Sequence, residues 1–439
     1  MKYIYFYCRI ELQIIGCYRS GHPTHYKRAA IMKQILSIPL FCILLINCSN
    51  PPQTKKMDYL KGSFGYDLAF LQKNDSVIIL KSGDAQVIVS AKYQGKVFTS
   101  TAEGMEGNSF GWINYKAFGT NTDPHINAYG GENRLWLGPE GGKFSLFFPK
   151  DAKMEFANWK TPAPFDTEPW KLVKQDTISV NLEKDMQLAN YAGTLFNIMV
   201  TRSITIMDRQ QVNDQLHIPS DTSIKVVGYR SENSLTNTGQ QAWTDSTGMP
   251  CLWMLDMFNP SPATVIVIPY KEGIPGKTTK QVTTDYFGEI PADRLKLGES
   301  ILFFKADGKK RTKLGIHPLY AKNIAGSYDA EKKILTITLF DIDNNAMYLN
   351  QEWNTTKPSF SGDAVNSYND GPLQDGSQLG PFYELESVSP AAFLQPGQSL
   401  SHNHSVFHFT GDEQALDRIA VKLLGVSIDQ IKNALIGVR

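Results

Sequence analysis

From about residue 58 onward the chain is built of short apolar or alternating runs, separated by Gly, Asn, Asp and Pro. DSVIILKS, AQVIVSAKY, KFSLFF, TISVNL, FNIMVTRSITIM, SIKVVGY, ATVIVIPY, SILFFKA and KILTITLFDI are rich in Val, Ile, Thr and Phe and bounded by turn residues. Side chains of that kind pack well on a pleated surface, so each run predicts a β-strand. Many strands at close spacing predict a sandwich or barrel. Helical patterns are few. DEQALDRIAVKLLG carries Ala415, Ile419, Val421 and Leu424 near one face, with an acidic start and a Gly stop, and SIDQIKNALIG follows it. A third helix is expected over EKDMQLANYAG. No repeat of fixed period and no clean internal boundary occur. The expectation is one large all-β domain over residues 58–439, with large antiparallel sheets, long loops and short C-terminal helices.

The N-terminus has a different pattern. MKQILSIPLFCILLINC begins at Met32, carries one Lys, and runs apolar from Ile35 to Ile46 before Cys48. That run is too short for a spanning helix and fits the apolar region of a signal peptide. Its end, LINC, resembles a bacterial lipobox, in which the Cys is lipidated and becomes the first mature residue. The expected organisation is an upstream extension over 1–31 that is not part of the mature protein, a lipoprotein signal over 32–47, lipidation at Cys48 and a polar tether over 48–57. The protein is then exported and anchored by lipid to a bacterial membrane, on the periplasmic or cell-surface side. A cleaved signal without lipid is the alternative.

Composition adds exclusions. Lys plus Arg number 44 and Asp plus Glu 43, so no global field favours nucleic acid as a partner. Of the five cysteines only Cys251 lies beyond Cys48, in the apolar run CLWMLDMF, where it reads as a small core residue. No CxxC pair occurs, which excludes a structural zinc finger on ligand count. No GxxxxGK[ST] loop occurs either. No cofactor is expected, and the sequence defines no complete metal site.

Four segments carry candidate chemistry. In YELESVSP, period two puts Glu384 and Glu386 on one face of a strand, with Tyr383, Leu385 and Ser387 on the other. That face looks either to water or into a groove. In SLSHNHSVFHF, His402, His404 and His408 share a face. Three of the eight histidines thus fall within seven positions. His-x-His has the spacing of two metal ligands and also suits neutral imidazoles bonded to a polyol, or plain structural histidines. The segment 123–148 contains His125, Glu132, Arg134, Trp136 and Glu140 among paired glycines. Arg and Glu offer planar bidentate hydrogen bonds and an aromatic ring can stack on a sugar, although core packing is the default for Trp136. A polar loop over 350–376 carries Trp353, Tyr368, Asn369, Asp370 and Asp375. Lys313 and His317, in RTKLGIHPLY, rank below these.

Together these segments resemble the galactose mutarotase-like superfamily of aldose epimerases. The match is best near the C-terminus: Leu385-Glu386-Ser387, then Pro390, LQPGQ at 394–398 and VFHF at 406–409. NSLTNTGQQAW, 233–243, resembles the family's N-T-G turn. The run from GSYD, 326–329, through NSYNDGP and GPFYELESVSPA is closer still to an uncharacterised group of exported bacterial proteins within the superfamily. The resemblance implies a β-supersandwich and places Glu386 where the family keeps its catalytic base. The chain departs from the family at both histidines. Tyr129 precedes the Gly-Gly of AYGGENR, and PCLWMLDMFNP contains no His, so the acid is unassigned.

Mutarotation needs a base for the anomeric hydroxyl and an acid for the ring oxygen. Glu386 is expected as base, with His125, His317, or one of His402, His404 and His408 brought in as acid by the fold; His404 and His125 lead that set. Arg134, Trp136, Glu140, Asn369, Asp370, Glu384 and His402 are expected to hold sugar hydroxyls. Three readings follow: a carbohydrate-binding lipoprotein with epimerase-like acid–base chemistry, a non-catalytic sugar- or glycan-binding lipoprotein, and a metal-dependent lyase or hydrolase using His402, His404 and Glu386.

Overall fold

The computed structural model describes residues 58–437. The expected upstream extension, signal peptide, tether and Cys48 lie outside the described residues. Two antiparallel sheets dominate. One has six strands, in the order Val282–Thr283, Thr312–Ile316, Val365–Asn369, Tyr383–Val388, Cys251–Phe258 and Arg134–Gly138. The other has ten: Leu295–Leu297, Ile301–Lys305, Thr264–Pro269, Ile324–Asp329, Ile334–Phe340, Ser399–Gly411, Ile224–Asn237, Leu195–Met207, Ser179–Ala189 and Lys171–Gln175. A smaller sheet of Ile78–Ser82, Ala85–Ser90 and Lys96–Thr101 carries the helix Phe64–Leu71 and its own apolar cluster around Phe64, Ile88 and Phe98. This is the antiparallel sandwich with short C-terminal helices that the strand pattern predicts.

The two large sheets face each other through one shared apolar cluster. Leu385, Leu252, Leu314 and Val365 of the six-stranded sheet share it with Val200, Tyr229, Leu235 and Val406 of the ten-stranded one. The other face of the ten-stranded sheet is partly covered. Phe407 and Phe409 pack there under the helices Arg209–Leu216, Glu413–Leu424 and Ile428–Asn433. Each fully buried Phe is worth roughly 1.5–3 kcal/mol over an exposed one, enough to hold short helices that would not persist alone.

Local chemistry sets the helix ends. The Asp412 side chain accepts from the Ala415 N–H at 2.9 Å, and Gly425 stops the helix at φ 77°. The buried stripe is Ala415, Leu416, Ile419, Ala420 and Leu424, while Val421 is 48% exposed, so the expected face is rotated. Two other expectations fail. EKDMQLANYAG is not a helix: Ser179–Ala189 continues as a strand, with Val180, Leu182, Met186 and Leu188 buried at even spacing. That alternation is the strand period, and pairing along eleven residues of Leu195–Met207 outweighs helix propensity. KFSLFF is not a strand. It makes bends and turns whose aromatic side chains Phe144, Phe147 and Phe148 are buried. The helix Arg209–Leu216 has an Asp208–Gln211 capping box, a start signal too short to register as a periodic segment.

Candidate functional site

All six residues of Tyr383–Val388 are buried, and period two divides them between two different environments. Tyr383, Leu385 and Ser387 point into the sandwich; Glu384 and Glu386 point to the outer face of the six-stranded sheet. Register places Glu386 beside Asn366 and Leu255, and Glu384 beside Tyr368 and Met257. Lys313 lies in the Glu384 row and Arg134 in the Glu386 row. Their ion pairs are nevertheless diagonal. Arg134 Nη2 donates to Glu384 at 2.6 Å, and Lys313 Nζ donates to both Glu386 oxygens at 2.9 and 3.0 Å. Long side chains reach such diagonal neighbours across a sheet.

Glu386 is the deepest of the carboxylates, with a fully buried side chain. It accepts a third hydrogen bond from Trp253 Nε1 at 2.9 Å. The Lys313 ammonium lies 5.0 Å from the Trp253 ring centre and 5.8 Å from that of Tyr286. Burial alone would pull the Lys313 pKa down, but Glu386 and Glu140 more than offset it and hold the value above the usual lysine range. Glu140 therefore belongs to the same cluster. Its backbone N–H donates to Gln351 Oε1 at 2.7 Å, and its negative charge is one of those that raise the Lys313 pKa. Burial raises the Glu140 pKa; Lys313 pulls it down and Glu386 pushes it up. Burial likewise pushes Glu384 up to about 8, against the pull of Arg134 and with the repulsion of Glu386.

The rim is aromatic and cationic. Arg311 is exposed, sits 3.8 Å over the Phe287 ring, and donates from Nε to Tyr368 OH at 3.3 Å. Tyr368 OH donates to Asp370 Oδ1 at 2.9 Å, and Gly380 N–H donates to Asp370 Oδ2 at 2.8 Å. Asp370 thus anchors Tyr368. Asn369 points to the other face. It donates to the Lys310 carbonyl at 2.8 Å and accepts from Gly308 N–H at 2.9 Å, which pins the turn that delivers Arg311 and Lys313. Trp136 packs among Trp253, Phe147 and Phe165 under the Arg134 guanidinium, 6% exposed. It supports the site from below and presents no ring to it.

The histidines are elsewhere. His402, His404 and His408 lie in the sandwich interior, each at most 1% exposed. Ser387 Oγ stands 2.8 Å from His402 Nε2 and 2.9 Å from His404 Nδ1. His404 Nε2 is 2.6 Å from Asp256 Oδ2, and Asp256 Oδ1 accepts from Asn133 Nδ2 at 2.6 Å. Arg202 closes the network, donating to Asn233 Oδ1 at 2.8 Å, to Gly95 O at 2.9 Å and to Asn133. His408 sits between Thr336 Oγ1 and Glu132 Oε1, at 2.8 and 3.1 Å. Glu386 and Ser387 point to opposite faces of their strand. The expected partnership of Glu386 with His404 is therefore corrected, as are His402 as a sugar contact and the metal site of His402, His404 and Glu386. Among the described residues no group of three His, Cys, Asp or Glu is arranged to hold a metal ion. His125 bonds through Nδ1 to the Trp159 carbonyl at 2.6 Å and stacks on Phe156, so it has no contact with Glu386.

A family model matches residues 62–435; its description is a family of unknown function, DUF6786. The chain belongs to that family. A search of curated proteins finds no match. Among solved structures, the chain is similar to a galactose mutarotase-like protein from Lactobacillus casei, at 10% identity and TM-score 0.45, covering 76% of this chain and 100% of that one. It is similar to a candidate aldose 1-epimerase from Escherichia coli at 13% identity and TM-score 0.43, covering 76% and 98%. A galactose mutarotase related enzyme from Lactobacillus acidophilus gives 7% identity and TM-score 0.40, covering 76% and 97%.

In this DUF6786 member, then, one cluster unites Glu386, Glu384, Arg134 and Glu140 of the expected residues. Asp370, Trp136 and Asn369 support it, and His125, His402 and His404 are apart. The residues that reading along the chain undervalued are Lys313, Arg311 and Trp253. A signal for the first two exists: in RTKLGI, Arg311 and Lys313 alternate with Thr312 and Leu314, which is a strand with one cationic face. Trp253 carries no such signal, because CLWMLDMF is apolar on both faces.

Proposed function

We propose that the outer face of the six-stranded sheet is a carbohydrate site with aldose-epimerase-like acid–base chemistry, in which Glu386 is the base. The observation that supports it most is the setting of the Glu386 carboxylate. It is buried, paired with Lys313 at 2.9 Å, and bonded by Trp253, on a face lined with Glu384 and Arg134 and rimmed by aromatic rings. Carboxylates and guanidinium groups bond hydroxyls in pairs, and aromatic rings cover the apolar face of a sugar. A carboxylate offers about four acceptor positions and three are taken, leaving one for an anomeric hydroxyl. The sequence resemblance implies the same task for Glu386.

The test is NMR exchange between the anomers of a panel of common aldoses, with and without the purified protein. Accelerated exchange of one aldose supports the proposal and names the substrate. Selective line broadening without exchange favours a sugar-binding protein that lacks the chemistry. Neither effect would sink both. The apolar run before Cys48 supports export of the protein. We propose that it is carried outside the cytoplasm on a lipid at Cys48, which intact-mass measurement of the membrane-extracted protein checks: a mature chain starting elsewhere would refute it.

A further inference from the structure

Three cations stand on the outer face, and their partners differ. Arg134 is paired with Glu384 at 2.6 Å and Lys313 with Glu386 at 2.9 Å, all four side chains being nearly closed to solvent. Arg311 is exposed and, among the described residues, has no carboxylate within 4.0 Å. Its Nε donates to Tyr368 OH at 3.3 Å. Its Cζ lies 3.8 Å over the Phe287 ring, which is itself 46% exposed. Stacking takes up the face of a guanidinium and leaves its edge, so both terminal nitrogens of Arg311 remain without a protein acceptor among the described residues.

A surface arginine ordinarily samples many rotamers. This one is held. Tyr368 OH donates to Asp370 Oδ1 at 2.9 Å, and Asp370 Oδ2 accepts from Gly380 N–H at 2.8 Å. Both oxygens of that buried carboxylate are thus engaged in fixing the hydroxyl that holds Arg311. The backbone behind is fixed as well. A Cβ on Gly371 would meet the Lys310 Cα and the Arg311 backbone nitrogen at 2.4 Å each, so only glycine lets the chain after Asp370 lie against the turn that presents Arg311. Gln378 Nε2 donates to the Gly308 carbonyl of the same turn at 2.9 Å. Lys309 and Lys310 are exposed beside it and add positive potential.

We infer that the sugar bound on this face is a uronic acid, with Arg311 taking its carboxylate; this rests on the carbohydrate reading above. A carboxylate presents two coplanar oxygens, and the free edge of a guanidinium presents two parallel N–H groups that match them. Arg134 and Lys313 are already occupied by Glu384 and Glu386. Phe287 sets an apolar ring beside the charge. Arg311 and Lys313 are two residues apart on one face of an extended chain, about 6.6 Å. With its carboxylate on Arg311, the rest of the sugar ring extends along the strand toward the Lys313–Glu386 pair.

The experiment titrates the full-length protein by calorimetry with glucose, galactose, glucuronate, galacturonate and glucose 6-phosphate, as wild type, Arg311→Gln and Arg311→Lys. Wild type is expected to bind a uronate about 10–100-fold more tightly than its neutral parent, by a margin that shrinks with added salt. Arg311→Gln should bring the two affinities within about threefold of each other, and Arg311→Lys should restore only part of the gap, because an ammonium is a point charge without the planar fork. Uronates held no more tightly than their neutral parents overturn the inference while the carbohydrate reading stands. A preference that survives Arg311→Gln overturns it too, as does tighter binding of glucose 6-phosphate than of either uronate. A wild type that binds none of these sugars refutes the carbohydrate reading itself and this inference with it, which separates the two failures.

Discussion

Two polar regions lie on opposite faces of the same six strands, and they are built differently. Inside the sandwich, Asp256, His404, Ser387, Asn133 and Arg202 bond one another, and all five are buried. On the outer face, Glu386 pairs with Lys313 and Glu384 with Arg134, beneath a rim where Arg311 reaches water. The residue types overlap. Their chemistry does not, because a buried hydrogen-bond network rigidifies a core, whereas a charge cluster with spare acceptors and a solvent edge can receive a ligand.

The largest expected effect breaks the interior set. Asp256→Ala leaves His404 Nε2 and Asn133 Nδ2 without their acceptors and should cost about 3–5 kcal/mol, read as a lower urea midpoint. A loss under about 1 kcal/mol would show that the interior network is not structural. Next comes Glu386→Gln. It should slow anomeric exchange by roughly 10²–10⁴-fold while the amide keeps an oxygen that accepts from Lys313 and Trp253. Unchanged exchange would remove the outer face as the reactive one.

The two regions should also respond to pH with opposite signs. Burial holds the His402 pKa down at about 3, from an ordinary 6.5. The unfolded chain takes up the proton first, so this stabilisation is complete above 6.5 and is lost as pH falls toward 3. Burial raises Glu384 to about 8 from 4.5, so its contribution is complete below 4.5 and is lost as pH rises through about 8. Urea midpoints across that range should therefore decline at both ends. His402→Asn should flatten only the acid side and Glu384→Gln only the alkaline side; if both variants alter the same side, the regions are not independent. The smallest expected effect is that of His125→Ala. Exchange should stay within about twofold, because an acid catalyst would account for 10²-fold or more. A larger loss would bring His125 back into the site.

Much of the fold is legible along the chain because burial leaves a period. Alternation in Leu195–Met207 marks a strand without any knowledge of its partners. The errors fall where period is weak or shared. Ser179–Ala189 was open to a helical reading because Glu183, Lys184 and Asp185 interrupt its alternation. KFSLFF is apolar enough for a strand but packs aromatic rings from turns. His125, His402 and His404 carry suitable chemistry, and nothing in their local sequence says which surface they meet.

Period two is a property of the extended backbone, so YELESV alone puts Glu384 and Glu386 on one side and Ser387 on the other. Partners are a different matter. Arg134 reaches Glu384 across 250 positions of chain and Lys313 reaches Glu386 across 73, and such contacts exist only after antiparallel register has set those strands side by side. The same packing turned the face of His402, His404 and His408 toward the second sheet. A local pattern can state that residues share a face, but whether that face meets solvent, a ligand or another sheet depends on which distant strands bury it.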